Sequence, residues 1–161
     1  MVFDEFTILE RLVSQMSPIT VDSSDYTVQF GFGTHTDLLA WLNQKRKEGS
    51  GIYPLIWVET PVTLKGNPFA EGDYNIIIAT LTTKDLSNKE RLTVTFEDVL
   101  FPTWDSFYYQ LNRESIIGFI EEMDVSYTKH FNYDTNDETE GSDVWDALRI
   151  EITLIFNLNC I

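Results

Sequence analysis

The sequence predicts an α+β domain with helices packed on one face of a mixed or antiparallel sheet, and three patterns carry that prediction. Phe3, Phe6, Leu9, Leu12, Val13 and Met16 recur at the spacing of one helix face. Near the other end, Leu148, Ile150, Ile152, Leu154, Phe156 and Leu158 alternate with Arg149, Glu151, Thr153, Asn157 and Asn159, the period of a half-buried strand. Between them, Leu55 to Val58 and Tyr74 to Leu81 are nearly continuous apolar runs, as strands covered on both faces are. The expected order is helix, strand, helix, strand, strand, long helix, strand, strand.

Each element has its own signals. The first helix has Asp4 in its opening turn and stops before Pro18. Tyr26, Val28 and Phe30 alternate with Thr27 and Gln29 as a strand that ends at Gly31-Phe32-Gly33. The second helix takes Thr34 or Thr36 as N-cap and Leu38, Leu39 and Leu42 as its apolar stripe. Lys45-Arg46-Lys47 complement its negative end, and Gly49 closes it. Thr60 to Asp73, rich in Pro and Gly, reads as a protruding hairpin or loop between the two apolar strands. Asn88 to Arg113 carries two patterns. Leu92, Val94 and Phe96 alternate like a strand, whereas Leu92, Phe96, Val99, Leu100, Trp104, Phe107 and Leu111 keep helical spacing much further. A long helix bent near Pro102 is favoured, because proline removes one backbone hydrogen bond there. A strand is expected over Val125 to Tyr133.

The chain has 161 residues, the size of one domain, so residues 1–161 are expected to share one core. Its apolar fraction of 43% and aromatic fraction of 14% provide enough buried surface to offset the entropy of ordering the chain. The single cysteine, Cys160, rules out an intrachain disulfide or a zinc site built on several cysteines. The start, Met-Val-Phe-Asp-Glu-Phe, lacks the basic and apolar segments of a secretory signal, and no apolar run reaches membrane-spanning length. Folding in a cytosol, with no membrane partner, is the expectation. With 26 Asp+Glu against 11 Lys+Arg, a net charge of −15, the surface repels nucleic acid.

No catalytic constellation stands out. Gly31-Phe32-Gly33 lies between a strand and a helix, but position 36 is Thr where a dinucleotide loop needs a third Gly, so a turn is favoured. His35 and His130 fall in no metal-binding pattern, and Ser50, between Gly49 and Gly51, has only the setting of a flexible turn. Asp134-x-Asn136-x-Glu138 starts like a calcium loop. Thr139 replaces the required Gly, though, and Trp145 stands in the twelfth place, so a solvated acidic loop is favoured. No enzyme and no cofactor are expected. The aromatics say more: one helix face cannot bury Phe107, Tyr108 and Tyr109 together, which directs at least one of them to another element or another chain.

The succession Tyr53-Pro54-Leu55-Ile56-Trp57, a loop, the apolar strand Tyr74 to Leu81, an Arg91-to-Arg113 segment with Leu100-Phe101-Pro102 at its middle, and a closing apolar strand reaching Cys160 resembles the tail-terminator and neck-ring proteins of tailed bacteriophages. It is similar in particular to small neck or tail-completion proteins, the head-tail connectors of phages that infect Bacteroidetes hosts. The likeness covers about two thirds of the chain, from Tyr53 onward. It implies a tail-terminator-like subunit, assembled in the host cytoplasm into a hexameric or dodecameric ring of the virion neck or tail, with portal, connector and tail-tube proteins as neighbours and no catalytic residues. An acidic lumen suits it, since DNA then passes without being held. The expected contacts lie on the Thr60 to Asp73 loop (Phe69, Glu71, Asp73), on Tyr108 and Tyr109, and on the Asp134 to Asp146 loop (Asp137, Glu138, Glu140, Asp143, Trp145). The alternative reading is an acidic immunity or inhibitor protein whose carboxylates occupy the DNA site of a basic nuclease toxin.

Overall fold

The computed structural model describes residues 3–49, 51–83, 85–118, 120–121, 125–133 and 144–160. Its frame is a five-stranded mixed sheet in the order β3-β4-β5-β7-β6, with a separate two-stranded hairpin, β1-β2. The strands are β1 (Ile19–Val21), β2 (Ser24–Tyr26), β3 (Gln29–Gly33), β4 (Leu55–Glu59), β5 (Phe69–Thr82), β6 (Val125–Tyr133) and β7 (Val144–Asn157). Among the described residues, β3 and β4 form the one parallel pair. They are joined by α2 (His35–Glu48), because parallel neighbours need a crossover and a helix supplies it.

That crossover corrects one expectation. α1 (Glu5–Ser14) and the long helix beginning at Asn88 pack on one face, where Ile56, Ile76, Ile78, Leu148, Ile150, Leu154 and Phe156 form the main core with Leu9, Leu12, Phe96, Phe107 and Leu111. Leu38 and Leu42 of α2 join Leu55, Trp57, Ile77, Ala79, Trp145 and Ala147 in a second cluster. Successive strand residues alternate between these two clusters, so α2 covers the opposite face. The unbroken apolar run Leu55 to Val58 follows directly, since both sides of β4 are buried.

Local chemistry sets the helix ends. Asp4 accepts hydrogen bonds from the backbone N–H groups of Phe6 (3.1 Å) and Thr7 (3.3 Å) at the start of α1. Thr34, rather than Thr36, caps α2: its hydroxyl oxygen accepts from the Asp37 N–H while the Asp37 carboxylate accepts from the Thr34 N–H, and Gly49 ends the helix at φ 68°. Both carboxylates titrate below their ordinary value, and in each case the first cause is a threonine hydroxyl bonded to the carboxylate, from Thr7 for Asp4 and from Thr34 for Asp37.

The ambiguous stretch is helical throughout: α3 (Asn88–Arg91), a wider segment (Leu92–Leu100) and α4 (Phe101–Arg113) run on without interruption. Glu90, in the capping box that Ser87 forms, is likewise held below its usual value by the Ser87 hydroxyl. The irregularity lies upstream of the proline, where the Phe101 N–H donates to the Phe96 carbonyl, five residues back. Pro102 has no N–H and its ring crowds the preceding turn, which explains the local widening. Hydroxyls serve carbonyls around it: Thr95 Oγ1 donates to the Arg91 oxygen (2.6 Å) and Thr103 Oγ1 to the Val99 oxygen (2.7 Å).

Other boundaries shift too. The strand expected through Tyr26 to Phe30 is divided between β2 and β3, and the hairpin β1-β2 closes through Asp22 and Ser23, both at positive φ. Gly31-Phe32-Gly33 is part of β3 rather than a turn. Gly31 is needed because a Cβ there would lie 2.5 Å from the Trp57 ring, whose Nε1 donates to the Gly33 carbonyl at 3.1 Å. β5 begins at Phe69, shortening the expected 60–73 loop, and β7 begins at Val144, placing Trp145 and Asp146 in a strand rather than an acidic loop. β6 spans the expected residues.

Candidate functional site

β5 and β7 pair over fourteen residues each, and this long ribbon places two unlike surfaces at its ends. At the first, Phe69 opens β5 with 55% of its surface exposed. Glu71 and Asp73 follow at two-residue steps and therefore share its face. The backbone here is tied down on both sides. Lys65 and Glu71 exchange N–H···O bonds of 2.9 and 2.8 Å, and the Leu158 N–H donates to the Pro68 carbonyl at 2.8 Å. Asp73 accepts from the Thr153 hydroxyl at 2.7 Å. The resulting tip is rigid, apolar at its point and acidic behind.

The opposite end of β5 borders a cavity of about 660 Å³. Val21 and Tyr26 of the β1-β2 hairpin, Tyr53 before β4, Leu81 of β5 and Val94 of the widened helix enclose it, and Arg46 of α2 stands at its edge. Tyr26, Leu81 and Val94 are 46%, 48% and 45% exposed, so the groove is open and apolar. Thr95, also on its wall, reaches past the groove to a buried ionic cluster. There the Thr95 hydroxyl lies 2.8 Å from Asp146 Oδ2, Arg91 lies 3.4 Å from Asp146 Oδ1, and a second Arg91 nitrogen donates to the Thr83 carbonyl at 2.7 Å. Asp146 is fully buried and Arg91 nearly so, and through Arg91 and Thr95 the end of α3 and the widened segment are both tied to β7.

The sequence-expected contact residues separate into three groups. Phe69, Glu71 and Asp73 come together on the tip, in a strand rather than a loop. Tyr108 and Tyr109 lie on α4 with different fates: Tyr108 is half-buried, its ring 5.3 Å from that of Trp104, whereas Tyr109 is 56% exposed and accepts from Arg113 at 3.1 Å beneath a guanidinium 5.3 Å from its ring. Phe107 is fully buried, so the three rings of this run differ in exposure, and Tyr109 is the one left open. Asp137, Glu138, Glu140 and Asp143 lie outside the described residues. Trp145 is corrected: it is buried, edge-on to Tyr53 with ring centres 6.2 Å apart, and offers no surface in the subunit. Its place in the second apolar cluster, with Leu38, Leu42 and Trp57 and with Tyr53 packed against it, explains the burial.

Sequence reasoning missed the groove. Its members are scattered over five elements, and no local pattern marks them as neighbours. The described residues contain no group of three or more His, Cys, Asp or Glu placed to hold a metal ion, and no helix among them is long and apolar enough to cross a membrane. The sequence matches no protein-family model and no curated protein.

Proposed function

We propose that this protein is a structural subunit of a closed ring in the neck, or at the head-proximal end of the tail, of a tailed bacteriophage. The observation that carries the reading is the state of the sheet edges. β3 and β6 each pair with one strand only among the described residues. A strand edge left with unpaired N–H and C=O groups is a template for another chain, and closed rotational symmetry covers it in every copy. Exposed Tyr127 on β6, 57% accessible, adds apolar contact along that edge.

The charge supports the same role. A chain carrying −15 gives a passage whose wall repels phosphates, so DNA slides through rather than binding. The ring is hexameric or dodecameric, its axial neighbours are the portal or connector and the tail tube, and the role needs no cofactor or catalysis. The test is the mass of the purified protein in solution, by light scattering after size exclusion at low and moderate salt. A discrete hexamer or dodecamer is the expected result. A monomer at every concentration, with no entry into a multi-chain assembly, refutes the ring and favours an acidic inhibitor of a basic nuclease.

A further inference from the structure

The tip and the groove sit at opposite ends of one strand, about 40 Å apart for the twelve steps from Phe69 to Leu81 at about 3.3 Å each. They complement each other in apolar character and charge. The tip presents one bulky exposed ring backed by Glu71 and Asp73, whose two carboxylates outweigh the single ammonium of Lys65. The groove is open, lined by aromatic and aliphatic side chains, and edged by Arg46, the centre of Lys45-Arg46-Lys47. Of these three, Arg46 lines the groove, whereas Lys45 lies over the Trp41 ring and pairs with Glu48. In a chain this acidic, a basic edge on an apolar groove selects a partner that is apolar with carboxylates close behind, and the Phe69 tip has that chemistry.

We propose that copies of this chain associate head to tail, the Phe69 tip of one seating in the groove bounded by Tyr26, Leu81, Val94 and Arg46 of the next. This contact rests on the ring reading above, and in it the tip and groove hold neighbouring subunits together while the sheet edges add to the contact without sustaining it alone. Two different patches on one subunit make a heterologous interface, the kind that closes into a ring when the rotation per subunit allows. The ring of Phe69 enters the apolar groove, and Glu71 and Asp73 approach Arg46 at its border. Because the tip is already held by backbone hydrogen bonds on both sides, little ordering entropy is lost on docking.

The experiment compares Phe69→Asp, Val94→Glu and their equimolar mixture with the unaltered protein by light scattering, with circular dichroism as the check of folding. Both positions are exposed, so each variant should fold. Each variant alone should lose assembly, its association weakened at least about 30-fold, as for loss of a central interface residue. The mixture should form a heterodimer and nothing larger, because Val94→Glu keeps an intact tip and Phe69→Asp an intact groove. If the unaltered protein forms a discrete oligomer and both variants retain it, this contact is wrong while the ring stands. A mixture that stays monomeric also overturns the contact. If the unaltered protein is itself monomeric throughout, the ring reading fails with it.

Discussion

Replacing Asp146 with alanine is the sharpest test of how the widened helix is held to the sheet. Arg91 is 3% exposed and Asp146 fully buried, so removing the carboxylate leaves a guanidinium in the interior with its main counter-charge gone. At an effective dielectric of about 20, unit charges 3.4 Å apart attract by about 5 kcal/mol. Breaking a buried pair by removing one partner typically costs about 3–5 kcal/mol, of the same order. Thr95 also loses the acceptor 2.8 Å away, although its hydroxyl keeps the Arg91 carbonyl at 2.6 Å. The Arg91 bond to the Thr83 carbonyl survives, which keeps the expected loss toward the lower end of that range. For a domain of this size each kcal/mol moves the melting midpoint by about 2–4 °C, so a fall of about 6–20 °C is expected. Urea denaturation supplies the free energy directly and thermal melting the midpoint. Asp146→Asn, which keeps the shape and one hydrogen-bond acceptor, should fall between the native protein and the alanine variant. Arg91→Met with Asp146→Leu should recover most of the loss, because an apolar pair removes both desolvation costs. A loss under about 1 kcal/mol for Asp146→Ala, or a double variant as unstable as the single one, would refute the argument that this pair is a mutually dependent buried unit.

Three further outcomes are expected. Gly31→Ala should cost about 1–3 kcal/mol in urea denaturation, since its Cβ would stand 2.5 Å from the buried Trp57 ring; Trp57→Leu in the same background should relieve part of that cost. Tyr74→Phe should be neutral or stabilising by up to about 1–2 kcal/mol, because the phenol oxygen is buried with no hydrogen-bond partner among the described residues. Burial, with Glu5 second, pushes the phenol well above its ordinary pKa, so no tyrosinate forms near neutrality and a loss of more than about 1 kcal/mol would show a missing partner. The caps set an acid-side signature: Asp4, Asp37 and Glu90 are all depressed in the folded protein, so their contribution is complete above the ordinary carboxylate range and disappears as pH falls through their lowered values. The stability difference between the native protein and Asp37→Asn or Glu90→Gln should therefore shrink on acidification from neutrality. A gap that stays constant down to the acid transition would show that the caps act through shape alone.

Legibility in the sequence followed the range of the forces. The α2 signals from Thr34 to Gly49 were readable because a cap, a first-turn acid and a terminal glycine act within a few residues of one another. The hairpin β1-β2 was not, because Asp22 and Ser23 take positive φ without the glycine that usually announces it. The acidic neighbours of Trp145 point to an exposed loop, whereas its own environment is set by Tyr53, Leu38, Leu42 and Trp57, far away along the chain. Of the contact proposed above, Phe69, Glu71 and Asp73 fall within a stretch that local composition singles out. The groove opposite them is not so marked.

By itself, then, the sequence determined the α+β class, the acidity of the surface and the presence of aromatics that one helix face cannot hide, while over residues 88–113 it carried two overlapping periodicities between which the structure chose the helix. All of these depend on periodicity, capping or summed charge, which are local or additive. Only the tertiary structure decided that α2 covers the second face of the sheet, that Arg91 and Asp146 meet in the interior, and that an apolar tip and an apolar groove occupy the two ends of β5. Each of these requires segments distant in sequence to be brought together, and which segments meet is settled by how the whole chain buries its apolar surface at once.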